Sequence, residues 1–411
     1  SLYFNKMYKF KLKNTIGNEE LAIAKKIIKS GKLSGFKAEW PDGFYGGKYI
    51  KKFENYLKKF YGVKYAITVN SWTSGLIAIM GSLDIEPGDE VIVSPWTMSA
   101  TAMCILHFNA IPIFADISKN DYCLDPVSVK KKITKKTKAI ITIDIFGGPS
   151  KVDQLKKTIN NNKIKIISDS AQSPYAIYKK KIVGTNSDIG GYSLNVHKHI
   201  NTGEGGVIVT NNKILANRCM LLRNHAEAVV GNMKIKKINN LIGYNFRMCE
   251  LEAGIGLEQY KKLKKILVNR NRHIIKLIQK LKNLNGLILP EVNNILEHNF
   301  YILPIQIDDT KIKISRTKIC NKLKKMGMMG IIEGYQNIHL LKIFKKRIAY
   351  GSAGFPLNVS WQKYKKGICP VAEKLHNKTF LGLELCLFDI NSKDINFIAN
   401  CFKNVWHKLK I

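Results

Sequence analysis

Apolar and polar positions along this chain follow two periods, and the switch between them sketches the architecture. Glu19 to Lys29 and Tyr49 to Tyr61 repeat apolar residues at helical spacing, with the Gly-rich stretch Gly43 to Gly47 between them. From Tyr65 onward, short apolar runs alternate with helical segments. Strands are predicted over Tyr65 to Val69, Glu90 to Val93, Ile111 to Ala115, Ala139 to Ile145, Ile164 to Ser168, Gly190 to Leu194 and Val207 to Thr210. Helices are predicted over Thr73 to Leu83 and Ser99 to His107. The runs lack polar alternation, as suits strands covered on both faces, so an α/β layer fold with a mainly parallel sheet is expected.

A longer helical pattern, Leu251 to Leu281, reads as a linker helix leaving this first unit. Beyond Leu287 the order is looser: a strand over Asn299 to Ile307, a helix over Ile314 to Met326 and a terminal helix over Asp394 to Leu409. Two domains are therefore expected, residues 1–265 with an N-terminal arm and residues 266–411 as a smaller α+β unit. The stretch Val91 to Ala115 has no Asp, Glu, Lys or Arg and is long enough to span a bilayer. Pro95, Pro112, Asn109 and the Ser/Thr cluster Thr97 to Thr101 divide it instead into strand, turn, helix, turn and strand.

Composition narrows the classes. With 411 residues, 45% of them hydrophobic, the chain is too long and too apolar for a disulfide scaffold or a disordered protein. The 67 Lys and Arg against 30 Asp and Glu give a net charge of +37, which raises a nucleic-acid partner. Only Arg218, Arg223, Arg247, Arg270, Arg272, Arg316 and Arg347 are Arg, however, and planar phosphate recognition favours Arg over Lys. A solvated Lys surface is the better reading, with no nucleic acid and no membrane as partner. The eight Cys lie far apart without a C-x-x-C pair or zinc spacing, so free thiols, no metal and a reducing, cytoplasmic setting are expected. Ser1 to Phe10 contains Lys but no long apolar run, so no signal peptide is expected.

Three segments carry chemistry. In Gly190 to Thr210, a strand delivers Ser193, Lys198 follows five residues later, and the turn Gly203 to Gly206 leads into another apolar strand. A Lys held in a dry pocket between strand ends loses basicity and can form a Schiff base, although any single Lys of a Lys-rich chain is ordinarily a surface residue. In Ile164 to Ala176, an apolar strand ends at Asp169, with Gln172 just beyond. Ligands of open α/β sheets sit at carboxyl ends of strands, where such a carboxylate can pair with a protonated pyridine nitrogen; the alternative is a turn or helix-capping Asp. In Val69 to Gly75, the chain passes from strand to helix, and the helix start with Ser71, Thr73 and Ser74 offers an anion seat.

With these motifs in order, the chain resembles the sugar aminotransferases of the DegT/DnrJ/StrS type from about Ser34 to the C-terminus. The matching stretches are Asn70 to Leu76, Asp169 to Gln172, Ser193 to Gly206, Gly243 to Met248 and Cys369 to Glu373. The resemblance implies a fold type I transferase dependent on pyridoxal 5'-phosphate, with pyridoxamine phosphate as intermediate. It implies that Lys198 bonds the cofactor and shuttles protons, that Asp169 holds the pyridinium and that Gln172 bonds the phenolic oxygen. Ser193, Thr73 and the backbone at Trp72 would hold the phosphate, and Asn245 would reach it from the other subunit of a homodimer with shared active sites. Met98 falls where the family usually has an aromatic ring over the cofactor, and Trp72 where it often has Gly, which is expected either to narrow the pocket entrance or to send the loop on another course. The flanking His197 and His199 matter because a dehydratase branch has His in place of the Lys. Counting from Ser193 and back from Gly203 both reach Lys198, which favours transamination. The implied reaction moves an amino group from glutamate or glutamine onto a keto-sugar, nucleotide-linked, in amino-sugar and surface-polysaccharide synthesis. A dehydratase and a keto-inositol aminotransferase are the rivals. His225, Tyr335 and His339 lie in stretches that resemble substrate-facing loops, with a structural role equally open.

Overall fold

In the computed structural model, residues 8–159 and 163–409 are described, so the first residues of the N-terminal reading lie outside it. Five strands open the large unit: β1 (Tyr65–Val69), β2 (Glu90–Val93), β3 (Ile111–Phe114), β4 (Thr137–Ile143) and β5 (Lys165–Asp169). After the hairpin β6 (Ile177–Tyr178) and β7 (Lys181–Ile182) come β8 (Ile189–Ser193) and β9 (Gly206–Thr210). Seven of these form one sheet in the order β1-β9-β8-β5-β4-β2-β3. The pairs β2/β3, β2/β4, β4/β5 and β5/β8 are parallel, and β9 runs antiparallel to both its neighbours. The reversal of β9 leaves β1 parallel to β8, so β1, β5 and β8 all end on one edge of the sheet. The strands are buried throughout because helices cover both faces, as their unbroken apolar runs require.

Helices α1 (Asn18–Lys29), α2 (Lys48–Tyr61), α3 (Trp72–Ser82) and α4 (Ala100–Leu106) come from the first quarter of the chain. Helix α3 follows β1 directly. Its N-cap Ser71 accepts a hydrogen bond from the Ser74 amide at 3.1 Å, which fixes the point where strand gives way to helix. The long helix Glu250–Leu281 then carries the chain to a second sheet of β10 (Leu287–Ile288), β11 (Leu303–Ile307), β12 (Ile331–Glu333) and β13 (Phe380–Leu383). This sheet is antiparallel, in the order β10-β11-β13-β12. Its apolar face packs with Ile274, Leu277 and Leu281 of the long helix and with Ile395, Ile398 and Phe402 of the terminal helix Ser392–His407.

One predicted strand is shorter than its apolar pattern. Only Leu303–Ile307 pairs in the sheet, whereas 299–302 turns aside to press against 146–147. Asn299 N donates to Gly147 O at 2.7 Å and Ile302 N to Phe146 O at 3.2 Å. A Cβ on Gly147 would stand 2.5 Å from the Phe300 nitrogen, so this approach requires glycine. All eight cysteines are free. Among the described residues no helix is long and apolar enough to cross a membrane.

Candidate active site

The register of the large sheet gathers the three chemical segments. Asp169 at the end of β5 is level with Gly191 of β8, and Ser193 at the end of β8 pairs with Gly206, which also pairs with Val69 at the end of β1. The first turn of α3 thus opens beside Ser193, with the Trp72 and Thr73 amides unpaired among the described residues. Partial positive charge there, with the exposed Thr73 and the Ser193 hydroxyl, makes an anion seat.

Asp169 is buried and held by three donors. Thr101 Oγ1 donates to Oδ2 at 2.8 Å, while Trp72 Nε1 at 2.8 Å and the Ala171 amide at 3.2 Å donate to Oδ1. Burial pushes its carboxyl pKa up, against these donors and the Lys198 charge, which pull it down. Lys198 sits in the loop between β8 and β9, where its amide donates to Asn195 O at 2.9 Å and its carbonyl accepts from Lys13 Nζ of the N-terminal arm. Desolvation pushes the Lys198 amine below its usual range, and the Asp169 charge opposes that shift. Its Nζ lies 4.5 Å from the centre of the Tyr301 ring. A half-buried amine of lowered basicity in the field of a buried carboxylate is a nucleophile that can also carry a proton.

The donor set suits pyridoxal phosphate. The amine answers its aldehyde, the α3 start and Ser193 its phosphate, and Asp169 Oδ2, with one of its two lone pairs taken, its ring nitrogen. The profile of the DegT/DnrJ/EryC1/StrS aminotransferase family matches residues 36–379. The chain belongs to that family of pyridoxal-phosphate enzymes. Spore coat polysaccharide biosynthesis protein SpsC of Bacillus subtilis is 29% identical over 85% of this chain and 88% of its own. GDP-perosamine synthase of Escherichia coli O157:H7 is 36% identical over 59% of this chain and 65% of its own. The crystal structure of an aminotransferase from Psychrobacter cryohalolentis superposes with a TM-score of 0.82, at 22% identity, covering 98% of this chain and all of that one.

Other residues of this aminotransferase stand as follows. Gln172 is buried beside Asp169, accepting from the Phe146 amide at 2.6 Å and donating to Tyr335 Oη at 3.4 Å. Tyr335 therefore joins the site, whereas His339 is buried against Glu373 at 3.0 Å and His225 lies 3.7 Å from Glu227. Met98 is 67% exposed at the approach to α4. Its neighbour Trp96 is buried and donates to Asn337 Oδ1 at 2.8 Å. Asn245 is exposed and bonded to Arg247 at 2.8 Å, without a hydrogen bond to Asp169, Ser193 or Lys198 of its own chain. Of the two flanking histidines, His197 is exposed, and His199 is buried with its Nε2 2.8 Å from Asn299 O.

The expectation of a narrowed entrance at Trp72 needs correction. The side chain is only 6% exposed and turns inward, beneath α3, because the glycines at 75 and 191 leave room for the ring. Thr101 and Tyr301 escaped sequence reasoning. Thr101 stood within a Ser/Thr cluster that signals a turn equally well, and nothing local marks Tyr301, which reaches the lysine through the 299–302 detour.

Proposed function

We propose that this enzyme transfers an amino group from glutamate or glutamine to a nucleotide-linked keto-sugar, supplying amino sugar for a surface polysaccharide. The reading is carried by one observation, the gathering of the half-buried Lys198, the buried Asp169 and Ser193 at the same ends of neighbouring strands, beside the start of α3. The names of the spore coat and perosamine relatives support the sugar acceptor.

Bound at the strand ends, pyridoxal phosphate supplies an electron sink for the charge released at the donor α-carbon. In our reading the Lys198 amine would hold the cofactor through its aldehyde and, once free, would move a proton from the donor α-carbon. Its lowered basicity favours the free amine that this task needs. Asp169 would hold the ring nitrogen in its protonated form and Gln172 would bond the phenolic oxygen. Thr73, Ser193 and the Trp72 amide would hold the phosphate, and Met98 would cover the ring. The exposure of Asn245 supports its reaching the phosphate of a second copy, in a homodimer. A division near residue 265, within the long helix, and a cytoplasmic setting complete the proposal. The dehydratase alternative needs a histidine where Lys198 stands, and the neighbouring His199 is buried with its Nε2 on Asn299 O.

Loading the protein with pyridoxal phosphate and adding glutamate tests the reading. Bleaching of the yellow colour with release of 2-oxoglutarate, and its return on adding a nucleotide-linked 4-keto sugar, are expected. Return of the colour with a keto-inositol alone would replace the sugar by a cyclitol.

A further inference from the structure

Trp72 touches both ends of the site. Its backbone opens α3 at the anion seat, and its indole runs beneath the helix to donate Nε1–H to Asp169 at 2.8 Å. Two glycines clear that path and a third admits the backbone. A Cβ on Gly75 would lie 2.8 Å from indole Cε3, one on Gly191 would collide with Cζ3 and Cη2, and one on Gly206 would lie 2.8 Å from the Trp72 Cα. The space between α3, β8 and β9 is therefore shaped around one indole.

The chemistry of the carboxylate adds a consequence. Each oxygen has two lone pairs. The indole and the Ala171 amide take both on Oδ1, and Thr101 takes one on Oδ2. One direction remains. We propose that the Trp72 indole is a positioning residue that locks the Asp169 carboxylate so that only Oδ2 faces the cofactor's ring nitrogen; this rests on the cofactor reading above. Among the described residues Lys198 is the cation that acts on Asp169 most strongly; Asp144, Tyr335 and Cys104 also interact with it, and none of these three is cationic.

Trp72→Phe removes the N–H and keeps most of the ring. Trp96→Phe is the matched control, since it loses an equally buried N–H bond of 2.8 Å to the neutral Asn337. Both proteins, loaded with pyridoxal phosphate carrying ¹⁵N in its ring, are compared with the wild type by NMR, thermal melting and steady-state kinetics. Trp72→Phe should move the ring-nitrogen resonance toward its unprotonated position and lower kcat about tenfold, ~1.4 kcal/mol of barrier. Trp96→Phe should lose thermal stability and leave the resonance unmoved. A wild-type resonance in Trp72→Phe, with only a melting loss like that of the control, overturns the role and leaves the cofactor reading intact. Failure of the wild type to take up the cofactor overturns both. Should Trp72→Phe not fold, the indole N–H signal of the native chain decides: protection from exchange and a shift in Asp169→Asn support the role, and rapid exchange overturns it.

Discussion

Two buried carboxylates at different places in this molecule have opposite fates. Glu373 accepts hydrogen bonds from His339 at 3.0 Å, from Gly367 N through both oxygens at 2.9 Å, and from Cys369 N at 3.4 Å. Three of these contacts fall on Oε1 and one on Oε2, and its ionisable hydrogen-bond partner, the His339 imidazole, is joined to it directly. Asp169 is equally buried, yet the cation that acts on it, Lys198, has an Nζ with no hydrogen bond or ion pair among the described residues. Burying charge without full compensation costs stability, so a fold that keeps such an unjoined pair has a use for it beyond stability, whereas a carboxylate bonded to its partner serves the fold. Burial alone does not mark an active site; a buried carboxylate with an unbonded amine nearby does.

The sharpest way to break this contrast is Lys198→Ala. Turnover and the borohydride-fixed cofactor adduct should vanish with the melting temperature preserved. Retained activity, with the adduct mapped to another lysine by peptide mass spectrometry, would remove the site from this pair. Asp169→Asn should keep the cofactor and lose about 10²-fold in kcat, roughly 3 kcal/mol of barrier. A near-normal rate would make Asp169 another structural carboxylate. Mixing inactive Lys198→Ala with inactive Asn245→Asp should restore about a quarter of the sites through exchanged dimers, if each site draws on both subunits. Demonstrated subunit exchange without recovery would confine Asn245 to its own chain.

At the structural pole, Glu373→Ala leaves buried donors unpaired and should cost about 3 kcal/mol in urea unfolding, with kcat per folded molecule unchanged. His298 gives the smallest effect. Burial pushes its imidazole down to about 3, and its Nδ1 accepts the Phe300 amide at 2.8 Å, which requires the neutral ring. Below the unfolded value of about 6.5 the unfolded chain binds a proton that the folded one does not, so stability falls with pH by up to ~1.4 kcal/mol per unit. His298→Asn should flatten that fall; urea midpoints at pH 7 and pH 5 measure it.

Much of this was legible beforehand. β1 and β2 lie where the apolar runs predicted, and the long helix Glu250–Leu281 begins one residue before its pattern. These segments bury whole faces, so their periodicity survives any tertiary arrangement. The strand over Asn299 to Ile307 was overread because Phe300, Tyr301 and Ile302 are apolar for other reasons: Phe300 joins the core of the second sheet, Ile302 that of the large one, and the Tyr301 ring stands by Lys198. The site was legible in its motifs, Asp169, Gln172, Ser193 and Lys198, because strand ends and a glycine turn place them locally. Trp72 was visible as a departure from the family, but its direction was not, since that depends on space left by Gly191 over a hundred residues away.

The chain by itself therefore determined the succession of the seven strands of the large sheet, its covered faces and the approach of the Lys198 amine and the Asp169 carboxylate to one sheet edge. All of these follow from local periodicity and from residues near one strand end. Only the tertiary structure decided what those groups meet. The donors on Asp169 come from α3, α4 and its own strand end, and the ring beside Lys198 comes from a loop that a close backbone contact at Gly147 pulls out of its sheet. The physical reason is that hydrogen-bond saturation and desolvation depend on neighbours brought together across the fold, which spacing along the chain does not encode.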